Sequence, residues 1–210
     1  HDTVRRQRQM CIRDSSQYGI SKKQAYYLMD SRGFLQGARP IILNRVDIHN
    51  EYGLTVMSAE ARFQELGLTL PPAPRPVGVY KPIVIVGNMA YLSGHGPLKE
   101  DGTLTIGRLG ENLEVEQGYE AAKQTALALI ATIRSALGSL DNVARVVKTL
   151  GFVNSTEDFV GQPAVINGCS ELFAELFGTD TGVGARSALP SNTLPGGMAV
   201  EIEMILEIKP

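Results

Sequence analysis

The sequence predicts an α+β domain in which a mixed β-sheet carries two helices on one face, in the order β-β-α-β-α-β-β. Three observations predict it. Between Asn112 and Leu137, apolar residues fall at Val115, Tyr119, Ala122, Ala126, Leu129, Ile130, Ile133 and Leu137, steps of three and four that put one stripe on a helix. A second stripe follows at Ile166, Cys169, Leu172, Phe173, Leu176 and Phe177. Near the C-terminus, Val200, Ile202, Met204, Leu206 and Ile208 alternate with Glu201, Glu203 and Glu207, the period of a strand with one apolar face. Two one-faced helices need a sheet beneath them. The other face of that sheet then needs a cover, and further copies of the chain are the simplest one.

The elements follow in order. Ser58 is placed to cap a helix from Ala59 to Leu66 that Gly67 stops. The proline-rich stretch Pro71–Pro76 cannot enter a helix or a central strand and acts as a stiff lead-in. Val77–Val86 and Met89–Ser93 flank Gly87-Asn88 and predict a β-hairpin. Ser93-Gly94-His95-Gly96-Pro97 reads as a glycine-rich loop where backbone comes close to a ligand or a neighbouring subunit. Gly138 ends the first long helix, Val143–Val153 forms the next strand, and a helical region opens at Ser155 or Thr156 and ends at Gly178. Two last strands surround Arg186 and run from Met198 to Ile208.

Residues 1–56 differ from the rest. They hold nine Lys/Arg against five Asp/Glu, whereas residues 57–210 hold 11 against 17, within a total of −2. Met10-Cys11-Ile12-Arg13-Asp14-Ser15 resembles translated sequencing-adapter sequence. A boundary is therefore expected at Met57, with residues 1–56 an appended, disordered or non-native arm. Within that arm, Gly19–Met29 suggests a short basic helix and Arg39–Leu43 a short strand. Cys11 and Cys169 make no CxxC and no disulfide framework, which suits a reducing compartment. With no apolar run of spanning length and no secretory-type leader, a cytoplasmic protein is expected, with no membrane partner. The acidic balance of residues 57–210 argues against nucleic acid as a partner.

Arg186 is the residue with the clearest chemistry. It lies among Gly182, Gly184, Ala185, Ser187 and Ala188, small neighbours that let a ligand approach a guanidinium, the planar fork that fits a carboxylate. Glu201 opens the next strand, with Glu203 on the same face. His1, His49 and His95 are scattered, so no histidine metal site is expected. Ser93 and His95 lack an orienting acid for a triad.

The ordered pieces of residues 57–210 resemble the RidA family (reactive intermediate deaminase A, also YjgF or endoribonuclease L-PSP-like). They are Val77-Gly78-Val79-Tyr80, Gly87-Asn88, Ser93-Gly94, Leu140-Asp141-Asn142-Val143, the Phe159–Asn167 segment, Ala185-Arg186-Ser187, Leu194-Pro195 and Val200-Glu201-Ile202-Glu203. Gly118–Ala122, Gly151–Ser155 and Ile166-Asn167-Gly168 mark a less-characterised subgroup. The resemblance implies a chorismate mutase-like fold and a homotrimer with clefts between subunits. It implies hydrolysis of enamine/imine intermediates such as 2-aminoacrylate to 2-oxo acids and ammonia, with no metal or cofactor. By position, Arg186 would grip the substrate carboxylate and Glu201 would place or activate a water. Tyr80, Ser93, His95 and Asn167 would line the cleft. Ala188 stands where many relatives carry cysteine, and His95 where glutamine is common. A non-catalytic trimer that binds small carboxylates is the alternative on the same residues.

Overall fold

The computed structural model describes residues 57–210; the expected Gly19–Met29 helix and Arg39–Leu43 strand lie outside the described residues. Helix α1 (Ala59–Glu65) begins as expected, the Ser58 hydroxyl accepting from the Ala61 amide at 3.2 Å. Strands β1 (Ile83–Val86) and β2 (Met89–His95) pair antiparallel around Gly87, whose φ of 60° fits a two-residue hairpin turn. Helix α2 (Val115–Leu137) ends on Gly138 at φ 75°. Then come β3 (Val143–Asn154), α3 (Gln162–Phe177), the single turn α4 (Thr179–Gly182), β4 (Ala185–Ser191) and β5 (Val200–Ile208).

The strand order is β1-β2-β5-β3-β4, antiparallel except for the parallel β3–β4 pair. Both β5 neighbours run antiparallel to it, so β2-α2-β3 and β3-α3-β4 are two crossovers that step across the sheet in one direction. Crossovers of one hand then put α2 and α3 on the same face. The core lies between them and the sheet: Leu129, Ile130 and Ile133 from α2, Val165, Ile166 and Phe173 from α3, and Val153, Val200, Ile202, Met204 and Leu206 from the strands are all at most 2% exposed. Gly168 is where the helices meet; a Cβ built there would run into the Tyr119 carbonyl of α2.

Two boundaries differ from expectation. The first strand starts at Ile83 rather than Val77, because Pro82 breaks the run and Val77 and Val79 stand fully exposed. The second helix starts at Gln162 rather than at Ser155 or Thr156. Ser155 and Thr156 still carry ladder-like backbone bonds to Ser191 and Leu109, which hold them extended.

Among the described residues, the opposite face of the sheet carries no helix. Val84, Tyr91, Leu150, Phe152, Ile205 and Leu189 alternate out of the core there, with Val84, Tyr91 and Leu189 more than two-fifths exposed. Glu201, Glu203 and Lys148 share that face. Among the described residues, no helix is long and apolar enough to cross a membrane.

Candidate functional site

Arg186 sits on β4 opposite Thr149 of β3, which in turn faces Met204 of β5. Thr149 and Met204 are buried on the helix side, so the arginine points the same way. One of its terminal nitrogens, Nη1, donates to Asn167 Oδ1 at 2.7 Å and Ser170 Oγ at 3.1 Å. Asn167 and Ser170 are three residues apart on α3 and therefore share one face of it. They hold one edge of the guanidinium. Among the described residues, Nε and Nη2 have no acceptor. Arg186 also borders a cavity of about 130 Å³ lined by Thr149, Ser170, Phe173, Gly182, Val183, Gly184 and Met204. Cys169, fully buried beside it, has its thiol pushed up to about 12 by burial, against a smaller opposite pull from Arg186, which leaves it a packing residue rather than a nucleophile.

Glu201 belongs to a different place. The β2–β5 register slips between Leu92 and His95, a bulge that sets Ser93 and Gly94 out of alternation. The Glu201 side chain lies on Gly94 so closely that a Cβ there would overlap its carboxylate. Glu201 pairs with Phe152 across β3 and faces away from the helices. Partial burial raises its carboxyl above the usual range, and Glu203 adds to the effect. The Ser93 hydroxyl donates to the Lys81 carbonyl at 2.7 Å. Tyr80 is exposed on the lead-in and has no hydrogen bond to either Arg186 or Glu201 among the described residues.

His95 departs from its expected loop position. It closes β2 and is 4% exposed. Nδ1 lies 2.7 Å from the Ser93 carbonyl and Nε2 2.8 Å from the Thr132 hydroxyl of α2. A carbonyl only accepts, so Nδ1 carries the proton and Nε2 accepts from Thr132. Burial lowers its pKa, with the Ser93 bond opposing in part. Both nitrogens are engaged in the core, and the Ser93 hydroxyl bonds elsewhere, so no Ser–His pair forms.

Within one protomer the six expected site residues thus fall into separate places. Arg186 and Asn167 are together on the helix side. Glu201 and Ser93 are together on the open side, with Tyr80 on the lead-in segment before β1. Arg186 and Glu201 lie three β3 positions apart with β3 between them, about 10 Å along and about 10 Å across the sheet, on opposite faces. Ser170 and Thr149 join the arginine without having been singled out in the sequence. The signal for Ser170 was its spacing of three from Asn167; Thr149 had none. Among the described residues, no group of three or more His, Cys, Asp or Glu is placed to hold a metal.

The comparisons with known proteins agree with this architecture. The family model described as "YjgF/chorismate mutase-like, putative endoribonuclease" matches residues 60–198. Protein TCP17 of Trypanosoma cruzi is 40% identical over 148 residues, 70% of this chain and 92% of that protein. The crystal structure of Atu1372 from Agrobacterium tumefaciens, a protein of unknown function, is similar with a TM-score of 0.65 at 38% identity, covering 72% of this chain and 94% of that one. A "putative endoribonuclease" from Shewanella oneidensis gives a TM-score of 0.69 at 28% identity, with 72% and 99% covered.

Proposed function

The chain belongs to the YjgF/chorismate mutase-like family, and from that membership and the Arg186 site we propose that it hydrolyses reactive enamine/imine intermediates to 2-oxo acids and ammonia. The observation that carries the reading is Arg186 fixed along one edge by Asn167 and Ser170 and, among the described residues, without an acceptor along the other, beside a cavity. That is the arrangement of a carboxylate clamp. Burying a carboxylate needs such a partner, and a held substrate needs less further orientation to react.

The chemistry asks little more. Water adds to the C=N bond, oxygen to carbon and a proton to nitrogen, and the carbinolamine expels ammonia to leave the 2-oxo acid. An enamine first takes a proton at carbon and gives one up from nitrogen to become the imine. Glu201, with its pKa raised, would place the water and exchange these protons. Because Glu201 and Arg186 face opposite sides of one sheet, a complete site takes Arg186 and Asn167 from one copy and Glu201, Ser93 and Tyr80 from the next. A homotrimer closed head to tail, with the open sheet face of one copy against the β4 edge of the next, would meet that need. Residues 57–210 are taken as the functional domain.

RNA cleavage is the weaker reading, since residues 57–210 hold 11 Lys/Arg against 17 Asp/Glu and phosphate contact draws on cations. The test generates an alanine- or serine-derived imine in place and follows its decay. Arg186→Ala should lower kcat/KM by about 10- to 100-fold, the loss of a charge-assisted hydrogen-bond pair. Equal decay with wild type, Arg186→Ala and no protein would sink the deaminase reading.

A further inference from the structure

Ser93 and Gly94 are the residues of β2 that the β2–β5 ladder leaves out. Leu92 pairs with Met204 and His95 with Ile202, so three steps on β2 answer two on β5. A bulge of this kind turns backbone groups out of the ladder, and each then needs another partner. The Ser93 carbonyl finds one in His95 Nδ1 at 2.7 Å. The ring is held in turn from the helix layer, its Nε2 lying 2.8 Å from the Thr132 hydroxyl. Thr125, about two turns earlier on α2, donates its hydroxyl back to the Ala121 carbonyl, a common outlet for threonine inside a helix. Thr132 gives its single hydroxyl proton to the histidine instead, which leaves the ring proton on Nδ1. Thr132 and His95 are each 4% exposed. The other side of the bulge meets the proposed site. The Ser93 amide and hydroxyl donate to the Pro82 and Lys81 carbonyls at 3.0 and 2.7 Å, and the Glu201 carboxylate lies on Gly94.

Resting on the proposed role of Glu201, we infer that His95 is a positioning residue: the hydrogen bonds from Thr132 to His95 to Ser93 fix the Ser93-Gly94 bulge from the helix side, and the bulge seats the Glu201 carboxylate on the open side. The ring itself faces the helices opposite Ile202, a fully buried core residue, so it meets no substrate at Glu201. What it contributes is one donor at the δ position of its side chain. Without that donor the Ser93 carbonyl loses its partner, and the peptide gains by rotating toward another. Gly94 resists such a rotation less than any other residue would. The surface on which the Glu201 carboxylate lies then moves with it.

The test separates the δ donor from the bulk of the ring, using the full chain at a temperature where every variant is folded by circular dichroism. His95→Leu keeps bulk alone, and His95→Asn restores an amide nitrogen at the δ position. In imine turnover His95→Leu should lower kcat at least about tenfold, the scale of a misplaced group, and leave KM within about twofold, because Arg186 is untouched. His95→Asn should return kcat to within about threefold of wild type. Equal kcat in wild type and His95→Leu, or a loss that His95→Asn does not repair, overturns the positioning role. Should His95→Leu fail to fold, nitrogen NMR of the wild-type ring decides. A proton on Nδ1 coupled to the Ser93 carbonyl upholds the role, and a proton on Nε2 overturns it. A second readout needs no turnover. The raised pKa of the Glu201 carboxyl, followed by carbon NMR and assigned with Glu201→Gln, should fall toward the ordinary range in His95→Leu and stay raised in His95→Asn. That pattern in a protein without imine turnover rejects the deaminase reading and leaves His95 its role; turnover in which neither kcat nor the Glu201 titration follows His95 rejects the role alone.

Discussion

Gly94 sets the position of Glu201. The carboxylate lies where a side chain at residue 94 would be. Gly94→Ala should push it aside, lowering imine turnover while leaving the fold intact by circular dichroism; full activity in that variant would remove Glu201 from the mechanism. The raised pKa has a further sign-defined consequence. The folded state favours the protonated carboxyl, so its stabilising effect is complete below the ordinary value near 4.5 and is lost as pH rises through the raised one. Glu201→Gln lacks that loss. Its melting temperature should gain on wild type between acidic and neutral pH, and parallel curves would show that the site does not hold the proton. His95 runs the other way. Its pKa is depressed by burial from 6.5, so its contribution is present above that pH and declines as pH falls through the lowered value. His95→Gln should flatten this acid limb. At this scale the sequence was an uneven guide. Arg186 stood out by residue type and small neighbours and Asn167 only through the family resemblance, whereas the core role of His95 depended on Thr132, 37 residues away, and no local pattern could supply it.

Among the elements, the two long helices and β5 were legible because each repeats its period over many residues. The start of β1 was not, since alternation continues across Pro82 while the ladder cannot. The start of α3 was blurred by Ser155 and Thr156, good caps by type but engaged in strand-like bonds. The packing of α2 on α3 also hung on one residue. Gly168 touches the Tyr119 backbone, and Gly168→Ala should separate the helices and cost about 1–3 kcal/mol in denaturant unfolding. Loss of less than about 0.5 kcal/mol would mean that the crossing relaxes freely. Helix α1 is tied in by reciprocal bonds: the Glu60 amide to Asp141 Oδ1 at 3.2 Å, Glu60 Oε1 accepting from the Leu140 amide at 2.9 Å, and Glu60 Oε2 on Arg134 Nη2 at 2.7 Å. Arg134 in turn lies 5.1 Å from the centre of the Phe63 ring.

For the whole molecule, the alternation of β5 told of two faces before any fold was known. It could not tell which residues of the other strands share each face. The bulge at Ser93-Gly94 and the parallel pairing of β3 with β4 decide that, and neither leaves a local signal. The open face bears Tyr91, Phe152 and Leu189 beside Glu201, so under the proposed function assembly through it and completion of the site would be one event. Phe152→Glu should shift the protein to smaller species in light scattering and abolish turnover together; a monomer with full activity would separate the two.

The placement of Arg186 and Glu201 on opposite sides of one sheet has a genetic counterpart. Under the proposed function, a chain lacking the arginine and a chain lacking the glutamate would each be inactive alone, yet each would keep the half that the other has lost. Co-expressed and assembled at random in a ring, the two would rebuild about a quarter of the sites, so a pair of defective alleles would complement each other where neither suffices by itself.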